Sequence, residues 1–184
     1  MRSNGKKFLE VAKKIRKPII VIKGGKYEQG AKATLSHTGS LAGSYQIYKA
    51  AFRQTGIIIA EGIEEVFHIA KLFVSCPKPK GKRIQIITNG GGYGILTLDA
   101  LEKEKMQLAE MTKRTKLFLE HHVPKIVHIS NPIDLVGDAT NERYGLALKM
   151  CVDDPNIDII ILIILHQTPL INEKIIDIVA VHKG

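Results

Sequence analysis

Phe8, Leu9, Val11, Ala12 and Ile15 recur at helical spacing, and Pro18 closes that segment ahead of a short apolar run, Ile19 to Lys23. After a polar stretch, Leu41, Tyr45, Tyr48 and Phe52 resume the helical beat, which ends near Gly56. Ile57 to Ala60 predicts a strand, and Ile63, Val66, Phe67, Ala70 and Phe73 predict an amphipathic helix. Cys76 to Lys82, CPKPKGK, interrupts any regular element and reads as a linker. Beyond it the alternation is cleaner: strand Arg83 to Thr88, glycine loop 90–94, helix Ile95 to Glu104, strand Gln107 to Glu110, helix from Thr112 to about Glu120. A short extended stretch near Val127, a helix from Asn141 to about Cys151, a strand from Asp158 to Leu165 and a helix from Ile171 complete the series.

Strands alternating with helices at this spacing predict an α/β fold of parallel-sheet, flavodoxin-like layers, one partial and one nearly complete. The boundaries are 1–75, a linker at 76–82, and 83–184, and both ends read as cut from something larger. The run Ile159 to Leu165 is too short to cross a bilayer and reads as a strand buried on both faces. No apolar h-region follows the basic N-terminus, so the expected location is the cytoplasm, with no membrane contact.

Composition narrows the partners. Lys and Arg number 27 against 18 Asp and Glu, a net charge of +9, which favours an anionic partner. With no Trp and no basic stripe interleaved with stacking rings, nucleic acid is not that partner. Cys76 and Cys151 are far apart, lack metal-ligand spacing and read as packing residues, so no metal site is expected.

Two stretches carry candidate chemistry. Asn89, Gly90, Gly91, Gly92, Tyr93 and Gly94 join a strand to a helix, where bare backbone N–H groups and the helix dipole face an anion. A tight βα turn is the plainer reading, and the full dinucleotide fingerprint is missing. The second is SHTGSLAGS, residues 36–44, in which His37 stands among Ser36, Thr38, Gly39 and Ser40. A solvated surface histidine is the plainer reading of His37 alone. A helix starting directly after it would keep the imidazole neutral and nucleophilic and would hold a phosphoryl group acquired by the ring. Small neighbours leave such a nucleophile open to reactants. A third stretch, SNPIDLVGD, could frame a ligand edge through Pro132, Asp134 and Asp138, or be a rigid connector with an Asx turn. His68, His121, His122, His128, His166 and His182 show no partner pattern.

With these residues in hand, the chain resembles the ADP-forming acetate–CoA ligases, or NDP-forming acyl-CoA synthetases, relatives of succinyl-CoA synthetase. The resemblance runs through residues 17–44, 50–67, 83–102 and 130–139, and the histidine string and glycine loop in this order are its specific part. It implies an acid–thiol ligase fragment whose His37 accepts a phosphoryl group on the way from acyl phosphate to ADP. It also implies phosphate binding by Ser36, Thr38, Gly39 and Ser40 on one side and Gly90, Gly91 and Gly92 on the other. The implied domains are the C-terminal part of one CoA-ligase domain and most of a second. No cofactor is expected on this fragment. CoA, ADP or ATP and Mg belong to the complete enzyme, with an ATP-grasp subunit as partner, a CoA-binding Rossmann domain supplied from elsewhere, and an oligomeric assembly. The carboxylate that orients the histidine lies upstream of the matching segment in relatives, so the isolated chain is expected to be inactive. The rivals are a non-catalytic regulatory or scaffold module of the same fold, and a flavin- or nucleotide-binding domain of flavodoxin type.

Overall fold

In the computed structural model the described residues are 5–38, 44–167 and 169–182, with no side-chain description for 34–38. The chain divides into two compact units, Met1–Pro77 and Lys78–Gly184.

The first unit is built on two parallel strands, β1 (Ile20–Ile22) and β2 (Ile58–Ala60), paired in register Ile20 to Ile58. Helix α1 (Gly5–Lys14) contributes Ala12 and α3 (Tyr45–Thr55) contributes Phe52 to a small core with Ile57, against which Ile19, Val21, Tyr48 and Ile59 pack. Gly56 ends α3 with φ of 70°, a left-handed cap that an L side chain would strain. Helix α4 (Ile63–Ser75) lies against both strands.

One element departs from the sequence reading. The polar stretch before His37 is a helix, α2 (Glu28–Thr38), so Ser36, His37 and Thr38 occupy its last turn. Its residues include good helix formers, Glu28, Gln29, Ala31, Lys32 and Ala33, and a Glu28–Lys32 pair at i,i+4. Few of them are apolar, which is why hydrophobic periodicity passes over the segment. The next helix starts at Tyr45, with Ser44 as its cap residue, and not directly after His37. Gly39, Ser40 and Leu41 lie outside the described residues.

The second unit centres on β3 (Arg83–Thr88), parallel to β4 (Gln107–Leu108), β5 (Ile133–Asp134) and β6 (Ile159–Ile163). β6 runs along one edge of β3, while β4 and β5 share the other, β4 at its start and β5 at its end. Helix α5 (Gly91–Lys103) packs on the sheet face that carries Thr88. Ile87 points to the opposite face, into a core with Leu119 of α6 (Lys113–His122), Tyr144, Ala147 and Cys151 of α7 (Asn141–Val152) and Ile175 of α8 (Lys174–Val181). Helices on both faces of a parallel sheet make this a flavodoxin-like α/β layer, as the alternation predicts.

Three sequence expectations change here. The glycine loop is shorter than 90–94, since α5 already begins at Gly91. The strand expected near Val127 is β5 at Ile133–Asp134, bridged antiparallel by His128. And β6 is half-buried instead of buried on both faces, because among the described residues it pairs only with β3 and forms a sheet edge. Of the cysteines, Cys151 packs in the core as expected, whereas Cys76 is exposed.

Candidate functional site

The carboxyl end of a parallel sheet is where α/β proteins bind ligands. In the second unit three connections meet there: 89–90 after β3, 135–140 after β5 and 164–167 after β6. Asn89 knits two of them. Its amide nitrogen donates to the Leu165 carbonyl at 2.9 Å, and its oxygen accepts from the Leu165 N–H at 2.9 Å and the Tyr144 hydroxyl at 2.9 Å. The side chain thus continues the β3–β6 ladder beyond the last backbone pair. The single Tyr144 hydroxyl proton is shared between Asn89 and the Ile163 carbonyl, 2.7 Å away, and burial pushes the phenol pKa up, keeping it a neutral donor.

Asn131 does the equivalent on the other edge. It accepts from the Ile86 N–H at 3.1 Å and donates to the carbonyls of Ile84 at 2.6 Å and Ala109 at 3.1 Å, filling the gap between β4 and β5. The Asn131–Pro132 peptide is cis, and Pro132 lies under α5. Within SNPIDLVGD, Asp134 makes an Asx turn by accepting from the Val136 N–H at 3.0 Å. Val136 has φ of 60°, a costly conformation for a β-branched residue. Asp138 pairs with Arg143 at 2.7 Å, which also caps the Leu135 carbonyl.

Above this frame sits the glycine loop. Gly90 donates to the Thr88 hydroxyl at 3.0 Å, and the first helical bonds of α5 run from Tyr93 and Gly94 to the Gly90 carbonyl. The amides of Gly91 and Gly92 precede those bonds and stand at the positive end of the helix. Two of these glycines face side-chain ends: a Cβ on Gly90 would press on Leu165 Cδ1 and one on Gly91 would meet Asp134 Oδ2 at 2.7 Å, while a Cβ on Gly92 would meet nothing within 4 Å. The Asp134 carboxylate borders the same space, so any anion there is held by amides and not by net charge.

In the first unit the carboxyl ends of β1 and β2 border a cavity of about 350 Å³, lined among others by Lys23, Lys26, Tyr27, Tyr45 and Glu61. Lys26 pairs with Glu61 at 2.5 Å, and its ammonium lies 5.7 Å from the Tyr27 ring centroid and 6.0 Å from that of Tyr45. The hydrogen bond between the two raises the Lys26 pKa and lowers that of Glu61. This pair and the hydrogen bonds made by buried Asn89 and half-buried Asn131 are features that the sequence reading does not predict; KGGK at the end of a strand is the one signal for the first. His37 is on α2, which starts from this turn, and its side chain lies outside the described residues. His121 and His122 are exposed at the end of α6, and His68 is exposed on α4. No group of three or more His, Cys, Asp or Glu among the described residues could hold a metal, and no helix among them is long and apolar enough to cross a membrane.

Two parallel-sheet units, the second with a glycine-opened helix at its carboxyl edge, place the chain among the α/β proteins with a candidate anion-binding turn. Comparison makes the class specific. Residues 2–73 match the succinyl-CoA ligase like flavodoxin domain and residues 84–180 match the Ligase-CoA domain. The alpha subunit of acetate–CoA ligase [ADP-forming] II of Pyrococcus furiosus is 43% identical over 167 residues, 90% of this chain and 36% of that protein. The 4-hydroxybutyrate–CoA ligase [ADP-forming] of Nitrosopumilus maritimus is 34% identical over 180 residues, 96% of this chain and 26% of that one. A structure of a dinucleotide forming acetyl-coenzyme A synthetase 1 from Ca. Korarchaeum cryptofilum, in complex with phosphate and ADP, superposes with a TM-score of 0.90 at 33% identity, covering 100% of this chain and 41% of that one. The chain belongs to the Ligase-CoA domain family, and it spans between about a quarter and two fifths of the length of these relatives.

Proposed function

We propose that this chain is the histidine-bearing part of an ADP-forming acyl-CoA synthetase, with His37 as the phosphoryl carrier. The observation that carries the reading is the 43% identity to an acetate–CoA ligase alpha subunit over a stretch that takes in nearly the whole chain. In the proposed sequence, phosphate displaces CoA from an acyl-CoA to give an acyl phosphate. A ring nitrogen of His37 attacks the phosphorus, the P–O bond to the acyl group breaks, and the carboxylate leaves. The phosphohistidine then passes its phosphoryl group to ADP, regenerating the neutral imidazole and giving ATP.

Ser36, Thr38, Gly39 and Ser40 flank the carrier, and the Gly91 and Gly92 amides with the Gly90 turn supply preorganised donors for phosphoryl oxygens. CoA, the nucleotide and any metal are held by other parts of the complete enzyme, and an ATP-grasp subunit or domain is the partner this chemistry requires. The test is to incubate the chain with an ATP-grasp partner, Mg²⁺ and γ-labelled ATP. Acid-labile, base-stable label on the wild type and none on His37→Asn is the expected result. An unlabelled wild type beside a labelled intact relative would sink the carrier reading in favour of a non-catalytic scaffold module.

A further inference from the structure

Helix α2 runs from Glu28 to Thr38, and its first turn is anchored by the contacts that follow. The chain leaves β1 through Lys23-Gly24-Gly25-Lys26, where Gly25 takes φ of 76°. Gly30 packs on this turn: its Cβ position lies 3.6 Å from Gly25 Cα, and Ala31 N–H donates to the Tyr27 carbonyl at 2.9 Å. Lys26 then reaches across to the residue that follows β2, Glu61, at 2.5 Å. Glu61 is itself held, since its N–H donates to the Glu65 carboxylate of α4 at 2.6 Å. One ion pair thus ties the root of α2 to the opposite strand end and to a second helix.

We propose that Lys26 and Glu61 form a positioning pair that fixes the origin and direction of α2 and, through it, the place of His37. This rests on the phosphohistidine reading above. His37 is roughly 14 Å up the helix from Glu28, so a tilt of about 10° at the first turn moves its Cα by roughly 2 Å. Displacements of that size are enough to spoil a phosphoryl transfer. Stability is a different matter: the pair is exposed, at 37% and 63% of its side-chain surface, and pairs this open add little to global stability. A role in positioning and a role in holding the fold together therefore separate cleanly.

The experiment compares wild type with Lys26→Glu, Glu61→Lys and the double exchange. Three quantities are read: the initial rate of His37 labelling by the ATP-grasp partner with Mg-ATP, amide exchange of peptides covering 28–38, and the thermal midpoint. Each single variant is expected to label at least about tenfold more slowly and to exchange at least about tenfold faster across α2, with only a small change in midpoint. The double exchange should return both rates to within about threefold of wild type. Single variants that label and exchange like wild type would overturn the pair's role, as would a double exchange that recovers neither rate. Should the wild type take no label, the carrier reading falls by itself and the exchange data still decide the pair: unchanged exchange in the single variants overturns it, acceleration reversed by the double exchange upholds it.

Discussion

Asn89 is 2% exposed, and its one side-chain amide satisfies three groups at the end of the sheet. Replacing it by alanine strands the N–H and C=O of Leu165, while the Tyr144 hydroxyl keeps the Ile163 carbonyl. Buried groups left without partners cost more than the bonds nominally contribute. Asn89→Ala is expected to lower the unfolding free energy by about 1–3 kcal/mol, measured by urea denaturation. Gln85 offers a contrast, because its buried Oε1 has no partner among the described residues while its Nε2 donates to the carbonyls of Ile86 and Ser130.

At the scale of elements, α5 separates two uses of glycine. Gly94 is required by contact, since its Cβ would stand 3.1 Å from Pro132 Cγ and 3.3 Å from Thr88 Cγ2. Gly94→Ala is expected to cost about 1–3 kcal/mol, because neither neighbour is a flexible chain end that can move aside. Gly92 has open space, so Gly92→Ala should leave stability unchanged or raise it by up to about 1 kcal/mol through helix propensity. Paired thermal or urea melts decide between these outcomes. The existence of the glycine-opened helix was legible in the sequence, because a strand pattern leads straight into the glycines. Its start was not, because Tyr93 and Gly94 gain their first helical bonds from Gly90, and glycine carries no side-chain periodicity to mark that.

For the second unit as a whole, Arg83 and Asp158 close the amino end of the sheet. The guanidinium meets the carboxylate through Nε at 2.8 Å and Nη2 at 2.9 Å, and the Arg83 N–H adds a third bond at 2.9 Å. The bonds from Arg83 hold the Asp158 pKa down, to about 2. A depressed folded-state pKa stabilises the fold above the unfolded value of about 4, and the contribution is lost as pH falls through the folded value. The urea midpoint should therefore decline between about pH 4 and pH 2, and Asp158→Asn should lower it at neutral pH and flatten that decline. Buried Asp154 adds to the same acid limb: burial raises its pKa, but bonds from Thr115, Asn156 and Thr112 outweigh that and leave it below the usual carboxylate value.

The sequence by itself determined the class of fold, because alternating strand and helix periods leave few arrangements other than a parallel layer covered on both faces. It also located β3, where Ile84, Ile86 and Ile87 cluster between Lys82 and the glycines. It could not determine α2, whose helical state comes from local propensity and an i,i+4 pair with little apolar stripe to show. Nor could it determine what Asn89, Asn131 and Lys26 do, since each acts on a group 35 to 76 residues away: Glu61 for Lys26, Ile86 for Asn131 and Leu165 for Asn89. Periodicity records which side of an element faces the core. Which polar group meets which across the sheet is decided only when the strands are laid side by side, because a hydrogen bond depends on distance and direction in space and leaves no period in the chain.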